Sequence, residues 1–191
     1  NELNGILDDP VDSILWIATQ RTGLNAYDYS NNRFYTYKNS SKDPHSLITN
    51  DITKIVAAAD GNIWICTYWR GVDYFDKKSK RFTHYNTTTL TNLPSDNVWT
   101  ALDSNDGNLY IGHVRDGLSI VNLATRKVKN FRHNRADANS IPADEVTCIY
   151  KDKLNNIWVG TSKGVALYNP QKDNFMVFNN CIISLSHKVY S

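Results

Sequence analysis

The stretch Asn62-Ile-Trp-Ile-Cys-Thr67, a few residues ahead of Gly71, decides the fold, because the chain writes this unit four times. The other copies are Leu15-Trp-Ile-Ala-Thr19 before Gly23, Leu109-Tyr-Ile-Gly-His113 before Gly117, and Ile157-Trp-Val-Gly-Thr161 before Gly164. Their lead aromatics, Trp16, Trp64, Tyr110 and Trp158, are 48, 46 and 48 residues apart. Short β-type runs repeated at that period mark a propeller or a similar array. Such regularity also implies that the repeated residues are scaffold.

Working outward, each unit divides into four segments. The first carries an apolar pair at i and i+3: Leu3/Ile6, Ile52/Ile55, Val98/Ala101 and Val146/Ile149. A polar turn follows, reading Asp60-Gly-Asn62, Asp106-Gly-Asn108 or Asn155-Asn156, residue types that accept positive φ in tight hairpins. The aromatic segment comes next, then a short loop, then a third segment opening on the glycine. The fourth again repeats an apolar residue at i and i+3: Phe34/Tyr37, Phe82/Tyr85, Val128/Phe131 and Phe175/Phe178. No segment sustains a helical period. The expectation is an all-β chain of four four-stranded antiparallel β-propeller blades, at about 1–45, 46–93, 94–141 and 142–180. Residues 181–191 read as the start of a fifth blade, since the run from Leu185 to Ser191 echoes Leu93 to Thr100 with one gap. The chain therefore reads as a partial propeller cut from a longer array.

Composition narrows the function classes. The 191 residues carry 21 basic and 19 acidic side chains, well mixed, for a net charge of +2, which gives nucleic-acid binding little support. Nothing approaches the roughly 18 consecutive apolar residues of a membrane span, so no direct membrane contact is expected from this segment. The three cysteines, Cys66, Cys148 and Cys181, show no CxxC spacing and indicate neither a disulfide framework nor a zinc site. Cys66 takes the place of Ala18, Gly112 and Gly160, and reads as a small buried residue. The five histidines (His45, His84, His113, His133, His187) lack metal-ligand spacing. No phosphate loop or nucleophile elbow is present, so no cofactor, metal or catalytic residue is expected. Asp60 and Asp106 read as turn caps.

Function is better sought where the copies differ. The loops between the second and third segments read Gln20-Arg-Thr22, Tyr68-Trp-Arg70, Val114-Arg-Asp116 and Ser162-Lys163. In a propeller these loops share a face with the connectors between blades. Arg21, Arg70, Arg115 and Lys163 can meet a carboxylate or sulfate there, with Tyr68 and Trp69 stacking on a ring. Trp99, on a first segment where other copies carry Thr53 and Thr147, is a candidate for the central channel, and His113 completes the set. The alternative reading is a set of solvated loops with Trp99 packed.

The pattern Asp-x-x-Gly-Asn-Ile-Trp-Ile-Gly-Thr-x-x-Gly-Leu-x-x-Tyr-Asp, then Phe-x-x-Tyr and a Ser-Leu-x-x-Asn connector, resembles the two-component regulator propeller repeat. The best copies are residues 60–76 and 156–169. The resemblance implies the periplasmic sensor region of a hybrid two-component histidine kinase of gut Bacteroidetes, in which seven-bladed propellers precede a membrane helix and cytoplasmic kinase. It further implies an oligosaccharide ligand, the remaining blades of the parent as partners, and a possible homodimer. A non-catalytic scaffold for protein–protein contact is the alternative. A propeller lyase or glycosidase is disfavoured, since the sialidase-type Ser-x-Asp-x-Gly-x-x-Trp box does not fit adjacent Asp60 and Gly61.

Overall fold

The computed structural model describes residues 2–178, and no helix occurs among them. The proposed opening of a fifth blade at 181–191 lies outside the described residues. The first sheet holds β1 (Leu3–Asp9), β2 (Ile14–Thr19), β3 (Gly23–Asp28) and β4 (Arg33–Tyr37). The second holds β5 (Ile52–Ala57), β6 (Ile63–Thr67), β7 (Gly71–Asp76) and β8 (Arg81–Tyr85). The third holds β9 (Val98–Asp103), β10 (Asn108–His113), β11 (Leu118–Asn122) and β12 (Val128–Phe131). The fourth holds β13 (Val146–Lys151), β14 (Ile157–Thr161), β15 (Gly164–Asn169) and β16 (Asn174–Phe178). Each sheet is an antiparallel meander in chain order, the plan of a propeller blade.

The turns form for local reasons. Ser13, Gly61, Gly107 and Asn155 take positive φ between the first and second strands of their sheets. Asp60 Oδ1 accepts the Asn62 N–H at 3.1 Å, and Asp106 Oδ1 accepts the Asn108 N–H at 2.9 Å. Both carboxylates therefore act as turn caps.

The i and i+3 spacing of the first strands has a physical cause that the residue types do not announce. Pairing with the second strand skips one residue in each blade: Asn4, Thr53, Trp99 and Thr147. This β-bulge changes the parity, so Ile52 and Ile55 end on one face although three residues apart. The fourth strands have no such skip. There Phe82 packs toward the first sheet and Tyr85 toward the third.

The core lies between sheets rather than within any one of them. Trp16 and Leu24 of the first sheet meet Ile52, Ile65, Phe75 and Phe82 of the second. Trp64, Cys66, Val72 and Tyr85 of the second meet Val98, Leu109, Ile111 and Val121 of the third. Tyr110, Leu118 and Ile120 of the third meet Val146, Ile157, Tyr168 and Phe175 of the fourth. Each cluster also takes apolar anchors from the connector crossing it: Leu47 in the first, Leu90 and Leu93 in the second, and Ile141 in the third. Truncating a buried aromatic such as Trp64 to Ala costs about 3–5 kcal/mol.

First strands neighbour first strands. Asn4 Nδ2 donates to Ile52 O at 2.6 Å, Thr53 Oγ1 to Val98 O at 3.2 Å, and Lys54 Nζ to Thr100 Oγ1 at 2.9 Å. β13 lies beside β9 in the same way, so β1, β5, β9 and β13 are the innermost strands. Two apolar faces lack a facing sheet among the described residues. One is on the first sheet, where Phe34 is 67% exposed against 3% for its counterpart Phe82, and Leu3 and Ile6 are exposed where Ile52 and Ile55 are buried; the other is on the fourth sheet, where Met176 is exposed.

Candidate ligand site on the connector face

The loops between second and third strands interlock with the connectors. The N–H groups of Gly23, Gly71 and Gly117 donate to Asn50 O, Asp96 O and Asp144 O at 3.1, 2.8 and 2.8 Å, each in the connector to the next sheet. Tyr68 N, Val114 N and Ser162 N donate to Asp51 O, Asn97 O and Glu145 O, just ahead of their own first strands. Loops and connectors thus build one face of the molecule.

Two cavities open on this region. One, of about 290 Å³, brings together Arg21 and Arg70 from neighbouring blades over connector residues Asn39, Thr49, Asn50 and Asp51. The other, of about 450 Å³, lies against the innermost strands and is lined by Tyr68, Trp99, Lys54, Asn4, Thr53 and Thr147. Trp99 occupies the bulge position of β9, and its ring stands edge-on to Tyr68 with centroids 6.1 Å apart. The bulge residues of all four blades, Asn4, Thr53, Trp99 and Thr147, therefore converge on this cavity.

Backbone strain marks the same loops. Arg21 has φ of 75° and Trp69 has φ of 62°, the left-handed region that bulky L-residues enter at a cost of roughly 1–2 kcal/mol. Trp69 is 69% exposed, so packing does little to offset that cost. Trp69 lines neither cavity, and the same positive φ recurs at Lys80 and Arg126 in the turns between third and fourth strands, so the strain belongs to the turns of the repeat.

The remaining candidates fall elsewhere. Arg115 and Lys163 are exposed on the corresponding loops of the third and fourth blades and line neither cavity. His113 differs from what the sequence suggested, because it is fully buried. In the other blades its position is Thr19, Thr67 or Thr161, whose Oγ1 donates to the carbonyl of the following glycine at 2.8, 2.8 and 2.9 Å. His113 instead meets Ser119 Oγ at 2.8 Å through Nε2, and Ser119 donates onward to Asn130 Oδ1, also at 2.8 Å. That relay makes Nε2 the protonated nitrogen and leaves Nδ1 a buried acceptor with no partner. Burial pulls its pKa down to about 4.

A pair not singled out by sequence reading anchors the connector that lines the arginine cavity. Asp73 is fully buried in β7, and its Oδ2 accepts the Ile48 N–H at 2.8 Å. Its Oδ1 meets His84 Nδ1 at 2.7 Å, while His84 Nε2 faces Pro44 O at 3.0 Å. A carbonyl oxygen only accepts, so Nε2 carries a proton, and a second proton is shared between Nδ1 and the carboxylate. Burial raises the Asp73 pKa, and the bond to Asp73 raises that of His84, so the pair holds its proton tightly. Two bonds thereby pin the connector containing Asn39 and Asn50. The signal was in the repeat columns: Asn25/Thr36 and Ser119/Asn130 are hydrogen-bonded at the equivalent places. Among the described residues, no three His, Cys, Asp or Glu side chains gather as a metal site requires.

The fold and its interlocked face define a run of β-propeller blades. More closely, residues 46–69 and 140–163 match the two component regulator propeller family. It is similar to the extracellular domain of a protein described as a hybrid two component system from B. thetaiotaomicron, at 49% identity and a TM-score of 0.85, covering 92% of this chain and 23% of that one. The extracellular domain of a protein described as a one component system from the same organism is 23% identical with a TM-score of 0.74, covering 94% and 24%. PorZ, a surface component of the type-IX secretion system of Porphyromonas gingivalis, is 15% identical with a TM-score of 0.65, covering 93% and 26%. The latter two show the fold alone. The chain spans about a quarter of the length of each of these structures. No curated protein sequence matches it.

Proposed function

We propose that the chain is part of the periplasmic sensor region of a hybrid two-component histidine kinase. Its connector face recognises an oligosaccharide bearing a carboxylate or sulfate, and the signal passes to a cytoplasmic kinase domain beyond this chain. Likeness to the extracellular domain at 49% identity supports the receptor class. The observation that carries the ligand reading is the meeting of Arg21 and Arg70 in one cavity, with the Tyr68–Trp99 pair in its own cavity on the innermost strands. Arginine forks match carboxylate and sulfate oxygens, and aromatic faces stack on sugar rings. In this reading the chain binds its ligand and does not turn it over.

Calorimetric titration with tetra-galacturonate and a neutral galacto-tetraose tests the reading. The acidic sugar binds, the neutral one binds at least about tenfold more weakly, and Arg21→Gln with Arg70→Gln removes the difference, as loss of charged hydrogen bonds requires. Equal binding of both sugars, or indifference to the double substitution, refutes it.

A scaffold reading rests on a separate observation, the exposed apolar faces around Phe34 and Met176. We infer that further blades of the parent protein cover them, with a second copy of the chain as the competing occupant. Light scattering separates the two: a monomer at high concentration excludes self-pairing.

A further inference from the structure

The interface between the second and third blades is built differently from the other two. At the first interface Phe75 and Phe82 cap the preceding blade, with Phe75 5.5 Å from Trp16 and 4.9 Å from Tyr37. At the third, Tyr168 and Phe175 do the same, 5.6 and 5.3 Å from Phe131. Cross-strand register places Val121 and Val128 at those positions in the third blade, since Leu109 pairs Val121 and Val121 pairs Val128 just as Ile63 pairs Phe75 and Phe75 pairs Phe82. Two aromatic side chains are thus replaced by valines. Near this junction lies a cleft of about 440 Å³, lined by Trp64, Tyr74 and Tyr85 together with Asp60, Asp103 and Leu123.

The chemistry of this cleft selects for positive charge. The aromatic rings are clustered, with Trp64 4.8 Å from Tyr74 and 5.0 Å from Tyr85. Their faces carry negative electrostatic potential. Both carboxylates are oriented by donors: Asp60 by Tyr74 Oη–H and Asn62 N–H, and Asp103 by Trp64 Nε1–H and Ala59 N–H at 2.9 and 3.0 Å. The chain already shows the preference once, because the Arg126 guanidinium lies 4.5 Å over the Tyr85 ring. No lysine or arginine lines the cleft itself.

We propose that this interblade cleft is a second binding site, independent of the connector face, and that it takes a small organic cation of the alkylammonium class. The cation rests against Tyr74 and Tyr85 with Asp60 and Asp103 as its counter-charges. Arg126, stacked on Tyr85 outside the cleft lining, opposes the cation through its charge.

The test is an NMR titration of the protein at constant ionic strength with choline and with 3,3-dimethylbutan-1-ol, its neutral isostere. Choline gives saturable shifts at the amides of Tyr74, Gly107 and Leu123, and the isostere binds about tenfold more weakly, the scale expected of a cation–π contact beside a carboxylate. Arg126→Gln tightens choline binding, whereas an anion site there would lose affinity. Leu123→Trp, in the lining, fills the cleft and abolishes the shifts. Should that variant fail to fold, Tyr74→Leu on the half-exposed wall lowers choline affinity about fivefold while leaving the isostere unchanged. Absent or unsaturable shifts, equal binding of both probes, or weaker binding by Arg126→Gln overturns the proposal.

Discussion

Gly117→Ala and Gly107→Ala form a matched pair whose difference isolates one backbone contact. Both glycines have positive φ, 78° and 84°, so each alanine costs about 1 kcal/mol for entering the left-handed region. A Cβ at Gly107 meets nothing within 4 Å. A Cβ at Gly117 falls inside 3.0 Å of the Phe131 carbonyl oxygen and 3.1 Å from its carbonyl carbon. Those are backbone atoms of β12, so relief requires moving the strand by about 1 Å. Phe131 packs against Tyr168 and Phe175 of the next blade, and the shift spreads into that interface. Such a displacement belongs with core overpacking, at about 1–3 kcal/mol. The expected losses are therefore about 1 kcal/mol for Gly107→Ala and about 3 kcal/mol for Gly117→Ala. Urea unfolding followed by both tryptophan fluorescence and far-ultraviolet circular dichroism measures them, coincident curves licensing the two-state treatment. Equal midpoints for the two variants would show that β12 yields freely, and the close-approach argument would fall.

Three further outcomes follow from the buried polar groups. Because His113 titrates near 4 when folded, against an ordinary 6.5, the unfolded chain binds this proton first, and stability falls as pH drops between those values by up to about 3 kcal/mol. His113→Thr, the residue of the other three blades, flattens that acid limb; an unchanged limb in chemical denaturation assigns it elsewhere. The Asp73–His84 pair has the opposite sign: its raised pKa values make its contribution present at low pH and lost as pH rises through the folded value. Hydrogen exchange at the Ile48 amide, corrected for intrinsic rate, therefore accelerates with rising pH in the native protein, and the pH dependence moves in His84→Gln, where buried Asp73 titrates without its partner. Burial pushes the Cys66 thiol up to about 12, so maleimide labels exposed Cys148 in the folded protein and reaches Cys66 only on unfolding. Rapid labelling of Cys66 in the native state contradicts its place in the core.

The blade plan was legible because burial on both faces of a strand leaves a readable period. Ile63-Trp-Ile-Cys-Thr67 is buried throughout, and its alternate residues face the two neighbouring sheets. The bulges at Thr53 and Trp99 were not legible, since an extra residue in a strand has no residue-type signature. The placing of the loops on the connector face followed from strand order. The meeting of Arg21 with Arg70 did not, because it depends on the angle between adjacent blades. His113 misled through its chemistry. A histidine draws attention as a ligand residue, yet its column is a threonine position that closes a loop from beneath. Asp73 and His84 are eleven residues apart in sequence but opposite each other across β7 and β8, a relation that the order of residues along the chain does not show.

Cores that belong to pairs of blades make the array a chain of coupled neighbours. In such a system the free energy grows with the number of junctions, and an isolated blade has nothing to hold it. Cooperativity is then a property of length: losing a terminal blade uncovers one junction, while losing an inner one uncovers two. The same arithmetic governs how the sequence can change. Duplication or loss of a whole repeat recreates every junction in kind. An insertion of one residue into an unbulged strand such as β6 turns Trp64 from one neighbour to the other and breaks both.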